Sequence, residues 1–444
     1  MRIKKRNLFA TLAVSLMLLF AVDSATAAQD IAPSSSRVAS EATSVTLASA
    51  AGAATQAPRN SVAGRLLVGD GKTAMMSIID LKKGAVQQDA FDMGSPAGRI
   101  YATKSGRFAF AVSSDANTVH VFDGGIYLES HGDHFDRVTG PVKQIDLDLT
   151  GERPVHLYVS GKWSAIFYDG SGDVVLLNED ELEKKRANYK PSKLNVGPHH
   201  GGAVPLAHDL FAITIPHPDF AANPKDYRLP IGAKIVDLSG KELHRQEGCK
   251  DLHGDAGNGH VAAFACRGGV ITLEADHGKY KGRFIPFPEG ISKELRVTAI
   301  WGYRGLDHFF PLGSAAGVYA VDAKKGVMKQ LVPASDTLKP INAAVSHDGK
   351  ALLVVMSDGE LRKFDTRSLD LLASARDFLA TPVETGFWAR PHVTTIPGAV
   401  FITDSVGGKV FQLDDNLKVV KSWEIAGNPT KVAFVGISGK TKGR

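Results

Sequence analysis

From residue 61 onward the chain alternates between short apolar runs and short polar turns. Phe108-Ala109-Phe110-Ala111-Val112 is apolar throughout, and Thr118-Val119-His120-Val121-Phe122-Asp123 alternates. Both are strand patterns. The pair recurs as Ser164-Ala165-Ile166-Phe167 with Gly172-Asp173-Val174-Val175-Leu176-Leu177. It recurs again as Ala351-Leu352-Leu353-Val354-Val355 with Gly359-Glu360-Leu361-Arg362-Lys363-Phe364-Asp365. A further copy is Ala399-Val400-Phe401-Ile402-Thr403 with Gly408-Lys409-Val410-Phe411-Gln412-Leu413-Asp414. Gly/Asp/Ser turns join the members of each pair, and a unit spans about 40–50 residues, the period of a β-propeller blade. Units begin near Gly98, Pro154, His199, Leu252, Arg296, Ile341 and Pro391. The strands Arg65–Val68, Met75–Leu81 and Val86–Phe91 lack an opening strand, and Lys431-Val432-Ala433-Phe434-Val435 lacks later partners. Joined, they complete an eighth blade and leave no exposed sheet edge. The expected fold is therefore all-β, a single eight-bladed propeller over residues 61–438, with seven blades as the fallback.

The ends read differently. Arg2 to Arg6 form a positive stretch, Leu8 to Val22 an apolar one, and Ala25-Thr26-Ala27 a small-residue cleavage site. That is the pattern of a secretory signal over 1–27, with an apolar core too short for a comfortable membrane span. The expectation is an exported protein that is soluble once cleaved. Residues 28–60 are rich in Ala, Ser and Thr, lack aromatics, and read as a disordered tether. Residues 439–444 read as a basic tail.

Composition narrows the function classes. Of 444 residues, 43% are hydrophobic and 22% charged, with 45 Gly and 21 Pro. This is globular and turn-rich. The net charge is +5. Most of it lies in the leader, so neither a nucleic-acid nor a membrane-surface partner is called for. Two cysteines exclude a four-cysteine zinc site. In an oxidising compartment Cys249 and Cys266 are expected to pair, the alternative being two free thiols. No Gly-x-Ser-x-Gly elbow, His-Glu-x-x-His helix or phosphate-cradling glycine loop is present. No catalytic residue is assigned and the chain is not read as an enzyme.

The 15 histidines are the unusual feature. Four stand at nearly one phase, in the segments leading into four blades: Arg153-Pro154-Val155-His156, Gly197-Pro198-His199-His200-Gly201, Asp251-Leu252-His253-Gly254 and Arg390-Pro391-His392. Equivalent positions of different blades meet around the propeller axis. His156, His200, His253 and His392 are thus expected to converge at one mouth of the channel, where neutral imidazoles suit Zn2+. His200 is preferred to His199 because a glycine follows it, as Gly254 follows His253. A second candidate group is His131, Asp133 and His134, in Ser130-His131-Gly132-Asp133-His134-Phe135-Asp136. It lies in an insertion between the third and fourth strands of the first complete blade.

Together, His131-Gly132-Asp133-His134, Arg153-Pro154-x-His156, His200-Gly201 and Cys249-x-x-Leu252-His253-Gly254 with Ala263-Phe264-x-Cys266 resemble the AztD-type periplasmic zinc metallochaperones. The likeness covers most of 61–438. It implies a periplasmic propeller that binds zinc through the matching histidines and hands it to the solute-binding protein of a zinc ABC transporter. The chain departs from the family's extra histidine clusters: residues 28–60 contain no His, and Phe135-Asp136 follows His134. A monomer is expected. The competing expectations are a metal-dependent propeller hydrolase or lactonase, and a non-catalytic interaction scaffold.

Overall fold

The computed structural model describes residues 62–185 and 188–438. The expected leader, tether and basic tail lie outside those residues. Among the described residues the chain forms eight four-stranded antiparallel sheets, the blades of a propeller. Their innermost strands are Pro429–Ile437, Arg99–Ala102, Pro154–Ser160, Ala203–Leu206, Asp255–Gly257, Ala299–Trp301, Pro340–Val345 and Val393–Ile396 for blades 1 to 8. Each borders the next, and the eighth borders the first, so the ring is closed.

The apolar runs become the second strands. Phe108–Ser113, Trp163–Tyr168, Val261–Cys266, Ala351–Met356 and Ala399–Asp404 are buried at every residue. A strand with a blade on either side has no wet face, so a continuous apolar run suits it better than alternation. The outermost strands are polar: of Val419–Glu424 only Trp423 is buried. Eight clusters of buried side chains fill the eight interfaces between blades. Between blades 2 and 3, for example, Phe108, Phe110, Val119 and Val121 meet Leu157, Ile166, Tyr168 and Val175. Each such side chain contributes about 1.5–3 kcal/mol when fully buried.

Blade 1 is built from both ends of the described chain. Pro429–Ile437 pairs antiparallel with Ala63–Asp70, setting Leu66 opposite Phe434, Leu67 opposite Ala433 and Val68 opposite Val432. Most blades begin within about three residues of the phase set by the repeat. Blade 4 starts later, at Ala203, because His199 to Gly202 stay in the loop leading into it.

The insertion in blade 2 is a two-stranded hairpin, Ile126–Ser130 with Phe135–Thr139. It leaves the end of the third strand, Thr118–Asp123, and returns to the fourth, Lys143–Ile145. In an antiparallel blade that connection lies on the face opposite the lead-in loops. The anchoring agrees: Gly124 N donates to Arg107 O at 2.7 Å in the turn between strands one and two, and Gly436 N, near the end of the innermost strand of blade 1, donates to Gly106 O at 2.7 Å. Arg65 fastens the base of the hairpin by donating to Gly124 O at 2.5 Å and Gly140 O at 2.7 Å.

Candidate metal centre

Three consecutive blades each contribute one imidazole to the channel. His156 stands on the innermost strand of blade 3, where the register with the neighbouring strand shifts between Pro154 and His156. Such an irregularity re-aims the side chain that follows it. His200 lies in the loop leading into blade 4 and His253 in the loop leading into blade 5. One ring nitrogen from each comes within 4.8 Å of the others. Ring centroids are 5.0 Å apart for His156–His200, 5.7 Å for His156–His253 and 5.0 Å for His200–His253.

Nδ1 of each ring is already engaged. His156 Nδ1 bonds Asp255 Oδ1 at 2.8 Å, His200 Nδ1 bonds Asp169 Oδ2 at 2.5 Å, and His253 Nδ1 bonds Thr298 O at 2.7 Å. A carboxylate or carbonyl acceptor fixes the Nδ1–H tautomer and leaves the Nε2 lone pair for a metal. His200 Nε2 is buried and has no hydrogen-bond partner among the described residues. An unsatisfied buried nitrogen is costly unless something ligates it. Two nitrogen ligands of a tetrahedral zinc stand roughly 3.3 Å apart, so small ring rotations suffice.

Burial holds two of the three rings in the neutral form. Burial, with the Arg99 charge and the nearby His200, holds His156 well below the ordinary imidazole range. Burial, with His156 and His200 beside it, pushes His253 down to about 3. These two rings are thus neutral at neutral pH, the form that ligates. Burial pushes the Asp255 carboxyl up to about 6, against the opposing pull of the Arg99 charge.

Local sequence explains the placement. A Cβ on Gly254 would stand 2.9 Å from Ala299 Cα, and Gly254 has a φ of +90°. Only glycine lets this loop lie so close to blade 6. His253 N donates to Ala265 O and Ala265 N to Gly254 O, tying the loop to the second strand of blade 5. Cys249 and Cys266 stand at disulfide distance with Cα atoms 5.2 Å apart, bracketing the same loop.

No family model matches the chain. The zinc chaperone AztD of Citrobacter koseri is 28% identical over 390 residues, which cover 85% of this chain and 88% of that protein. A crystal structure of Citrobacter koseri AztD matches with a TM-score of 0.73 at 27% identity, covering 86% of this chain and all of the other. The chain resembles the AztD-type zinc chaperones in sequence and in fold. The apo form of Citrobacter koseri AztD matches equally well, with a TM-score of 0.73 at 26% identity over 86% of this chain. The dihydro-heme d1 dehydrogenase NirN, at 14% identity and a TM-score of 0.54, shares the fold alone.

Not every expected ligand of this AztD-like chain lies in the cluster. His392 belongs to blade 8, and its ring bonds the Val432 backbone; its surroundings are cationic. Burial and the charges of Lys431, Arg390 and Arg99 push it down to about 3. A dication would be repelled there. His131, Asp133 and His134 sit at the tip of the exposed hairpin on the opposite face. His134 Nδ1 is 2.7 Å from Asp133 Oδ1, His131 Nε2 is 3.6 Å from Asp136 Oδ2, and the two rings stack at 5.3 Å. His199 uses both ring nitrogens, Nδ1 with Gly197 O at 2.8 Å and Nε2 with Thr214 Oγ1 at 2.8 Å. Asp169, Asp255 and the Thr298 carbonyl were not among the expected site residues. Asp255 had one signal, its place two residues after His253. Asp169 lies in an ordinary turn after a strand, and a backbone carbonyl leaves no mark in sequence.

Proposed function

We propose that the chain is a periplasmic zinc metallochaperone that holds Zn2+ on His156, His200 and His253. The observation that carries this reading is that all three Nδ1 atoms have acceptors while one nitrogen of each ring faces the other two. The resemblance to the zinc chaperone AztD supports the same cargo. Three imidazole nitrogens fill three positions of a tetrahedral ion and leave the fourth open. A ligand from an acceptor can enter that position before an imidazole leaves, so zinc can pass by exchange without first being released to water. The acceptor in this reading is the solute-binding protein of a zinc ABC transporter.

The test has two parts. His253→Ala should lose the tightly bound zinc, measured by metal analysis after dialysis, while circular dichroism stays β-rich. Zinc-loaded protein mixed with apo solute-binding protein should then transfer zinc at a rate that rises with acceptor concentration and exceeds release to a chelator. Full zinc occupancy in the variant would refute the ligand set. Transfer no faster than release would leave a zinc buffer.

A further inference from the structure

The other side of the channel carries charge of one sign. Arg99 on the innermost strand of blade 2, Lys431 on that of blade 1 and Arg390 in the lead-in of blade 8 surround the Phe387 ring. Their charged groups lie 5.9, 5.1 and 5.3 Å from its centroid. Lys431 is 4% exposed. Their hydrogen bonds go to neutral oxygens: Arg99 Nη1 donates to Tyr101 Oη at 3.1 Å, Arg390 Nη1 to Ile341 O at 2.8 Å, and Lys431 Nζ to Phe387 O at 3.2 Å. Among the described residues no carboxylate stands within ion-pair distance of any of the three. Asp255 and Asp169 act on Arg99 only from further off.

The magnitudes do not balance as they stand. Burying an ion such as Lys431 costs several kcal/mol after relaxation, while Arg99 and Arg390 are half-buried. A cation–π contact returns about 0.5–2 kcal/mol, and here Phe387 is shared by all three cations while Trp388 lies 6.0 Å from Lys431 alone. Mutual repulsion adds to the deficit: burial and the charges of Arg390 and Arg99 push Lys431 down to about 7. An anion among them would offset both costs at once.

We propose that Arg99, Arg390 and Lys431 form a binding site for one small oxyanion at the channel mouth, across the axis from the three histidines. Phe387 and Trp388 are 40% and 43% exposed, so the segment that forms the wall of the site also borders solvent. Phosphate and carboxylate share the required chemistry, two or more oxygens that accept charge-assisted hydrogen bonds from guanidinium and ammonium. Because the Arg99 charge also acts on His156 and Asp255, the site is tested in zinc-free protein.

Zinc-free full-length protein at pH 6.5 and constant ionic strength is dialysed to equilibrium against radiolabelled phosphate and, separately, acetate. Saturable binding of one anion per chain is expected. Lys431→Met should weaken it by at least about tenfold and Lys431→Arg should restore it. Arg390→Gln is the second loss variant if Lys431→Met does not fold. Preference for phosphate assigns a tetrahedral oxyanion and preference for acetate a carboxylate; either outcome supports the site. Absence of saturable binding for both anions overturns it, as does unchanged binding in a folded loss variant.

Discussion

An imidazole offers a metal one nitrogen, and what holds the other decides how well it does so. Asp255 is that holder for His156, with Nδ1 and Oδ1 2.8 Å apart. Asp255→Asn keeps the shape and removes the charge. It should weaken zinc binding by about 10–100-fold, measured by chelator competition, with the fold intact. The histidines as a set make acid a threat to the metal-free protein. His199, His253 and His392 are pushed down to about 4, 3 and 3 in the fold, chiefly by burial. Between those values and the ordinary imidazole value of about 6.5, the unfolded chain binds protons that the fold does not. Their contribution is therefore complete above about pH 6.5 and is lost as pH falls toward 4. Asp255, raised to about 6, works the other way and offsets part of this. The urea midpoint of the metal-free protein should drop from pH 7 to pH 5, and a flat profile would contradict this account. At this scale the sequence was only partly legible. The grouping of His156, His200 and His253, which the structure brings together, was signalled by phase and by the glycines after two of them. His392 shared the phase, but its cationic neighbours Arg99 and Lys431 come from strands far away in the chain.

One inner strand, carrying His156, and two lead-in loops, carrying His200 and His253, make the site. The Cys249–Cys266 link closes one of them around His253. A bridge over a loop of this length contributes about 3 kcal/mol in the chain-entropy model. Reduction should lower the melting temperature and weaken zinc binding together, because the hydrogen bonds from His253 N to Ala265 O and from Ala265 N to Gly254 O lie inside the bridged loop. Calorimetry and chelator competition on oxidised and reduced protein would check both, and a melting shift with unchanged zinc affinity would show that the bridge acts on the fold alone. The hairpin bearing His131 and His134 was legible as an insertion, and its two histidines as potential ligands. Its face was not, because a motif carries no direction until the parity of its strand is known. Placed after a third strand, it emerges on the side away from the lead-in loops.

At the scale of the whole molecule the ring was the most legible feature, since a repeated unit states its rule many times over. The final strand was readable too, because Lys431 to Val435 had the pattern of an inner strand and no later partners. Its pairing with Ala63–Asp70 is a prediction in itself. Deleting the chain from Pro429 onward would bare the edge of Ala63–Asp70 and remove Val432 and Phe434 from the contact of blades 1 and 8. The truncated protein should aggregate, seen as high-mass species on size-exclusion chromatography, and a truncated monomer with native melting would refute this role. The same closure imposes a timetable. A chain made from its N-terminus completes the three imidazole-bearing segments, between residues 154 and 257, well before Pro429–Ile437 exists to seal the ring. Until that strand is made the blades carrying His156, His200 and His253 can form at most an arc open on one side, and Lys431 is the last of the channel-wall residues to be added. If zinc reaches those blades early, the metal would help set the curvature of the arc that the final strand must span.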